Sequence, residues 1–157
     1  MAAPSDSIKI LIADDDADDR LMAQEALEEC RLANHIDFVE DGVELMAYLR
    51  GLGRYAGRAA ARRPGLIILD LNMPKMDGRE ALREIKADPA LRRIPIVVMT
   101  TSKAEEDIYR TYDLGVSSFI TKPVTFDGLV SVMRELGKYW FEMVELPDRG
   151  DFPAVRP

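Results

Sequence analysis

Four runs rich in aliphatic and β-branched residues mark the chain: IKILIA at 8–13, LIIL at 66–69, IPIVVM at 94–99 and SSFIT at 117–121. A weaker run, HIDFVE, spans 35–40. Runs that are apolar at successive positions suit strands covered on both faces, as in a parallel sheet. Between them the apolar spacing changes to three and four. Met22, Ala23, Ala26, Leu27 and Cys30 predict a helix over 18–31, and Val43, Leu45, Met46 and Leu49 predict one over 42–50. Asp77 is placed to cap a helix over 78–86. SKAE at 102–105 reads as a capping box opening a helix that stops at Gly115. Thr125 can cap a last helix with Phe126, Leu129, Val130, Met133 and Leu136 on one face. Strand and helix alternate five times, which predicts a doubly wound α/β domain.

Two stretches break this rhythm. RGLGRYAGRAAARRPG, at 50–65, is too long for an ordinary helix-to-strand connection, and its four glycines argue against a long helix. Its Arg50, Arg54, Arg58, Arg62 and Arg63 predict either a solvated loop or a basic flap that meets an acidic partner. After Leu136 the chain turns aromatic, with Tyr139, Trp140, Phe141, Met143, Val144 and Leu146, and then rich in proline and charge. The domain is therefore expected over 1–137, with an insertion at 50–65, followed by an extension over 138–157 whose last part is loose.

Composition narrows the function classes. With 157 residues, 47% of them hydrophobic, the chain suits one domain with a single sizeable core. A net charge of −7 disfavours nucleic-acid binding, which needs a basic face. No apolar stretch approaches the ~20 residues of a membrane span, and no signal peptide is visible. Cys30 is the only cysteine, which fits a reducing cytoplasm and reads as a small core residue. His35, the only histidine, opens the weak second strand and reads as structural.

The long apolar runs all end in polar groups. The first ends in Asp14 and Asp15, the second in Asp70, the third in Thr100 and Thr101, and the last in Lys122 before Pro123. In an open parallel sheet, ligands bind beyond the carboxyl ends of the strands, where strand order reverses. Carboxylates gathered there repel by about 4 kcal/mol per pair at ~4 Å and an effective dielectric of ~20. A divalent cation relieves that repulsion, and oxygen donors without histidine or thiolate favour Mg²⁺. A lysine and a hydroxyl beside the same acid would hold phosphoryl oxygens. The set fits phosphorylation of an aspartate. Asp16, Asp18 and Asp19 read instead as an acidic first helical turn, favoured by the helix dipole.

LIADDD, LIILDLNMPKMDG, IPIVVMTTS and SFITKPVT, in that order and spacing, resemble the response-regulator receiver domain of two-component signalling over about residues 7–137. The resemblance implies a flavodoxin-like fold with strand order 2-1-3-4-5. It implies that Asp70 is the phosphoacceptor, that Asp15 and Asp70 bind Mg²⁺ through carboxylates, Asn72 through its backbone carbonyl and Asp14 through water. It makes Thr100 the switch hydroxyl, Lys122 the phosphate-binding ammonium and Phe119 the switch aromatic. It also implies a cis bond between Lys122 and Pro123. The partner implied is a histidine kinase. YLRG at 48–51, LRRIPIVVMTTS at 91–102 and YWFEMVELP at 139–147 resemble single-domain regulators paired with bacterial phytochrome histidine kinases.

Two rival functions remain at this stage. An aspartate-nucleophile phosphatase of the haloacid-dehalogenase type needs a second acid two residues after the first, where this chain has Asn72. A pseudo-receiver that works without phosphorylation would lack site residues, and none is missing. About 20 residues after 137 cannot build a DNA-binding domain. Phosphorylation is expected to draw Thr100 toward Asp70 and let Phe119 move inward, altering the face over 103–137. The aromatic extension is expected to pair two copies through the 103–146 region.

Overall fold

The computed structural model describes residues 9–30, 36–57, 63–101 and 105–138. The elements alternate as β1 (Ile10–Ala13), α1 (Ala17–Glu29), β2 (Ile36–Val39), α2 (Gly42–Arg50), β3 (Leu66–Leu69), α3 (Gly78–Ala87), β4 (Ile96–Thr100), α4 (Glu105–Leu114), β5 (Ser118–Thr121) and α5 (Phe126–Gly137). All strand pairs are parallel, in the order β2-β1-β3-β4-β5. This is the doubly wound α/β arrangement that the chain pattern predicts, with the flavodoxin-like strand order that the resemblance implies.

Alternation along the central strands builds two core layers. Ile10, Ile12, Leu66, Ile68, Val97 and Met99 face α1 and α5, packing on Ala26, Leu27, Leu129 and Met133. Leu11, Ala13, Ile67, Leu69, Ile96 and Val98 face the other way, onto Leu45, Met46, Leu82 and Ile85. The strands at the two edges are less covered. In β2 only Val39 is buried, and β5 has no buried residue, which explains why HIDFVE carries the weaker apolar signal.

Side chains cap four of the helices, two of them, at Asp77 and Thr125, as the sequence suggests. Asp16, Asp41, Asp77 and Thr125 each accept hydrogen bonds from backbone N–H groups of the first turn of α1, α2, α3 and α5. Gly115, at φ 99°, ends α4 in the left-handed conformation. One reading changes in detail. Phe126, assigned to the core face of α5, is exposed, while Leu129, Val130 and Met133 are buried. Within the 102–105 capping box only Glu105 is described, as the start of α4. His35 and residues 139–157 lie outside the described residues.

The described part of the insertion is tied down onto α2 and α3. Gly51 closes α2 in the left-handed region, and a 3-10 turn follows at Gly53–Tyr55. The Tyr55 ring packs against Tyr48 at 5.0 Å, and its hydroxyl donates to Glu44 Oε2 at 2.6 Å. Arg54 pairs with the same Glu44 and lies 4.9 Å from the Tyr55 ring centroid. Arg50 reaches Glu84 at 3.1 Å and Asp88 at 3.7 Å, and Arg63 donates to the Ala90 carbonyl at 2.9 Å. Each of these arginines thus has a partner within the chain. Arg58 and Arg62 lie outside the described residues.

Candidate functional site

The backbone ladder of the sheet runs one residue past the strands and fixes the polar residues that follow. The Asp14 N–H donates to the Val39 carbonyl at 3.0 Å, Asp70 N–H to Ala13 at 3.0 Å and Lys122 N–H to Thr100 at 2.8 Å. The carboxyl ends of β1, β3, β4 and β5 thereby converge. One oxygen each of Asp14, Asp15 and Asp70 lies within 4.8 Å of the others. Asp14 and Asp70 are buried, whereas Asp15 is exposed at the mouth.

Each oxygen of Asp70 has its own partners. Oδ1 accepts from the buried Thr100 hydroxyl at 2.8 Å and from the Asn72 N–H at 3.1 Å. Oδ2 accepts from Lys122 Nζ at 3.1 Å. Lys122 also donates to Asp14 Oδ2 at 2.8 Å and to Asp19 Oδ2 at 2.9 Å, so all three ammonium donors meet carboxylates. Burial alone would lower the Lys122 pKa, but the hydrogen bonds and charges of Asp14, Asp19 and Asp70 outweigh it and hold the ammonium protonated. Burial pushes the Asp14 carboxyl above its ordinary range, partly opposed by the Lys122 and Asp16 hydrogen bonds.

Asp14, Asp19 and Asp70 thus surround a single ammonium, and Asp15 adds a fourth carboxylate beside Asp14 and Asp70. The set is oxygen-only, rich in negative charge and open on the Asp15 side, which fits a hard divalent cation.

The loop after Asp70 is folded tightly against α3. The Gly78 N–H donates to the Leu71 carbonyl at 2.9 Å. A Cβ at Gly78 would lie 2.3 Å from the Asp70 carbonyl oxygen and 2.7 Å from Leu71 Cα. Only glycine allows this approach. Lys75 takes the left-handed conformation at φ 68° to complete the turn after Pro74. The proline turn and the glycine of LNMPKMDG therefore bring the N-terminus of α3 up to the backbone that carries Asp70.

Asp14, Asp15, Asp70, Thr100 and Lys122 are brought together as the sequence suggests, with Asn72 joined to Asp70 through its N–H and to Thr100 through its side chain at 3.4 Å. Phe119 lies on β5, opposite Val98 of β4, half-buried against the α2–α3 core layer. Two details differ. Asp19 is a direct partner of Lys122 and not only part of an acidic first turn. It stands in the first turn of α1 beside Asp18, and nothing in the sequence sets it apart from that neighbour. The Lys122–Pro123 bond is trans, since the described residues contain no cis peptide. Trans is the ordinary X–Pro geometry, and the long lysine side chain spans the gap to Asp70 from it.

The family model for the "Response regulator receiver domain" matches residues 10–134. Response regulator Rcp1 of Synechocystis sp. is 41% identical over 138 residues, covering 88% of this chain and 91% of that protein. The crystal structure of the phosphorylated cyanobacterial phytochrome response regulator RcpA superposes with TM-score 0.83 at 44% identity, covering 90% of this chain and 99% of that one. The Mn²⁺-bound form of response regulator Rcp1 superposes with TM-score 0.82 at 39% identity and the same coverage. The carboxylate cluster, the Thr100 and Lys122 contacts to Asp70 and these similarities agree: the chain belongs to the response-regulator receiver family and is a response regulator, a signalling protein similar to phytochrome response regulators.

Proposed function

We propose that Asp70 accepts one phosphoryl group from the phosphohistidine of a histidine kinase of the bacterial phytochrome type. The observation that carries this reading is the Asp70 carboxylate held between Thr100 and Lys122 at 2.8 and 3.1 Å beside two further acids. In the transfer, an Asp70 oxygen forms a bond to phosphorus as the phosphorus–nitrogen bond to the imidazole breaks. The imidazole leaves with the bonding pair, and an acyl phosphate remains. Lys122 exchanges a carboxylate contact for a phosphoryl oxygen, and the Thr100 hydroxyl donates to another. Asp14, Asp15, Asp70 and the Asn72 carbonyl would hold Mg²⁺, which when bound neutralises charge on the transferred group. The similar regulators crystallised phosphorylated and with Mn²⁺ support this reading.

The proposal extends to the rest of the chain. The receiver unit spans 1–137, with the insertion at 50–65, and 138–157 forms an extension. The phosphorylated state alters the face over 103–137, with Thr100 and Phe119 as its switch pair, and passes the signal to a partner in the cytoplasm. Two copies pair through the 103–146 region.

Incubation with labelled acetyl phosphate tests the core of the reading. Uptake should require a divalent cation and saturate at one phosphoryl per chain. Asp70→Asn should take up none. Asp15→Ala should abolish measurable Mg²⁺ binding by calorimetry, because one carboxylate ligand and its charge are lost. Normal labelling of Asp70→Asn, or sustained turnover in place of a single uptake, would refute the assignment.

A further inference from the structure

We propose that Arg79 and Asp107 clamp α4 in the position from which Thr100 engages Asp70, which makes both positioning residues for phosphoryl acceptance. The inference rests on Asp70 being the acceptor. Arg79 is the second residue of α3. Its Nε and Nη2 reach Asp107 Oδ1 and Oδ2 at 2.8 and 2.6 Å, a two-pronged pair. Nη1 stands 3.6 Å from Asp77, the N-cap of α3. Asp107 is buried in the first turns of α4, and the Thr111 hydroxyl donates to its carbonyl at 2.8 Å.

The two ends of this pair differ in how firmly they are held. The start of α3 is locked to the Asp70 loop through Gly78, and Ala81, Leu82 and Ile85 sit in the core. Helix α4 lies against the half-covered edge strand β5. Thr100 is the last residue of β4, and Asp107 comes seven residues later, so a single short link joins the switch hydroxyl to the clamped helix. A guanidinium fork fixes both distance and orientation, which a single charge contact does not. With the downstream end of the link fixed to α3, the Thr100 hydroxyl stays at 2.8 Å from Asp70 Oδ1. Released, α4 would be free to shift on β5 and to pull on the chain where it leaves β4 at Thr100, and apparent affinity for a phosphoryl group would fall with the competent fraction. Asp14 and Asp15 stand at the end of β1 and keep their places, whereas Asp70 lies within electrostatic reach of the Arg79 guanidinium.

The test uses the full chain and beryllofluoride, a phosphoryl mimic, titrated at saturating Mg²⁺. Arg79→Gln and Asp107→Asn should each weaken beryllofluoride binding about fivefold or more, within the usual range for coupling between sites. Mg²⁺ affinity should not fall in Arg79→Gln, which removes a positive charge near Asp70. The double variant should bind no more weakly than the weaker single one, because both remove the same pair. Arg79→Lys, which keeps the charge without the fork, should fall between the unaltered chain and Arg79→Gln. Unchanged beryllofluoride affinity in the folded single variants, additive losses in the double one, or a parallel loss of Mg²⁺ affinity would overturn the clamp. Failure of the unaltered chain to bind beryllofluoride with Mg²⁺ would instead overturn the reading of Asp70 itself.

Discussion

Asp14 shows what this site costs without its cation. Its carboxyl is buried, and that burial raises its pKa despite the hydrogen bond from Lys122. The folded chain therefore binds a proton at Asp14 more readily than the unfolded chain does. Stability from this group is fully present below its ordinary value of 3.8 and is lost as pH rises through the raised folded value. Asp14→Asn keeps an acceptor for the Asp16 N–H and the Lys122 ammonium but carries no charge. In metal-free buffer the variant should melt at a higher temperature than the unaltered chain at pH 7, and the gap should close near pH 4. An equal gap at both pH values would show that Asp14 ionisation does not strain the fold. At this scale the sequence was highly legible, because strand-terminal acids, a threonine and a lysine stand out against apolar runs. Asp19 and Arg79 were not legible. Both lie among other charged residues, and only the packing of α1 and α4 decides which of those charges meet.

Among the elements, the approach of α3 to the loop after Asp70 depends on one position. A Cβ at Gly78 would stand 2.3 Å from the Asp70 carbonyl oxygen, against backbone that has no flexible end to swing away. Gly78→Ala should destabilise the fold by about 1–3 kcal/mol, the usual range for overpacking. It should also slow phosphoryl uptake, because the displaced backbone carries the acceptor. Chemical denaturation and acetyl phosphate labelling measure the two effects, and a variant normal in both would show that the contact is easily relaxed. The strands and four of the five helices follow the chain pattern to within a residue or two, because their periodicities are strong and their caps are explicit. The insertion was not readable in the same way. Its structure comes from Tyr55 stacking on Tyr48 and from Glu44 taking both Arg54 and Tyr55, contacts that no local spacing encodes.

For the whole molecule, the surface over α4, β5 and α5 leads into the aromatic extension. Tyr112, Val124 and Phe126 are exposed there, and the apolar residues over 139–146 follow directly after α5. Apolar area left in water costs about 25 cal/mol per Å², and pairing of a self-complementary patch about a two-fold axis is the commonest way to cover it. Sedimentation at micromolar concentration should show a dimer. A chain truncated after Gly137 should be a folded monomer that still accepts phosphate. A monomeric intact chain at high concentration would contradict the pairing. The fold at this scale follows from five strand–helix repeats, whereas assembly depends on surfaces that apolar periodicity does not distinguish from core.

The central claim is that the carboxylate between Thr100 and Lys122 receives the phosphoryl group. The most direct measurement is residue-level mapping. The intact chain is treated with acetyl phosphate and Mg²⁺, the acyl phosphate is trapped by borohydride reduction, and the modified peptide is sequenced by mass spectrometry. The account predicts one modification, at Asp70. Modification at Asp14, Asp15 or Asp19 with Asp70 untouched would contradict it.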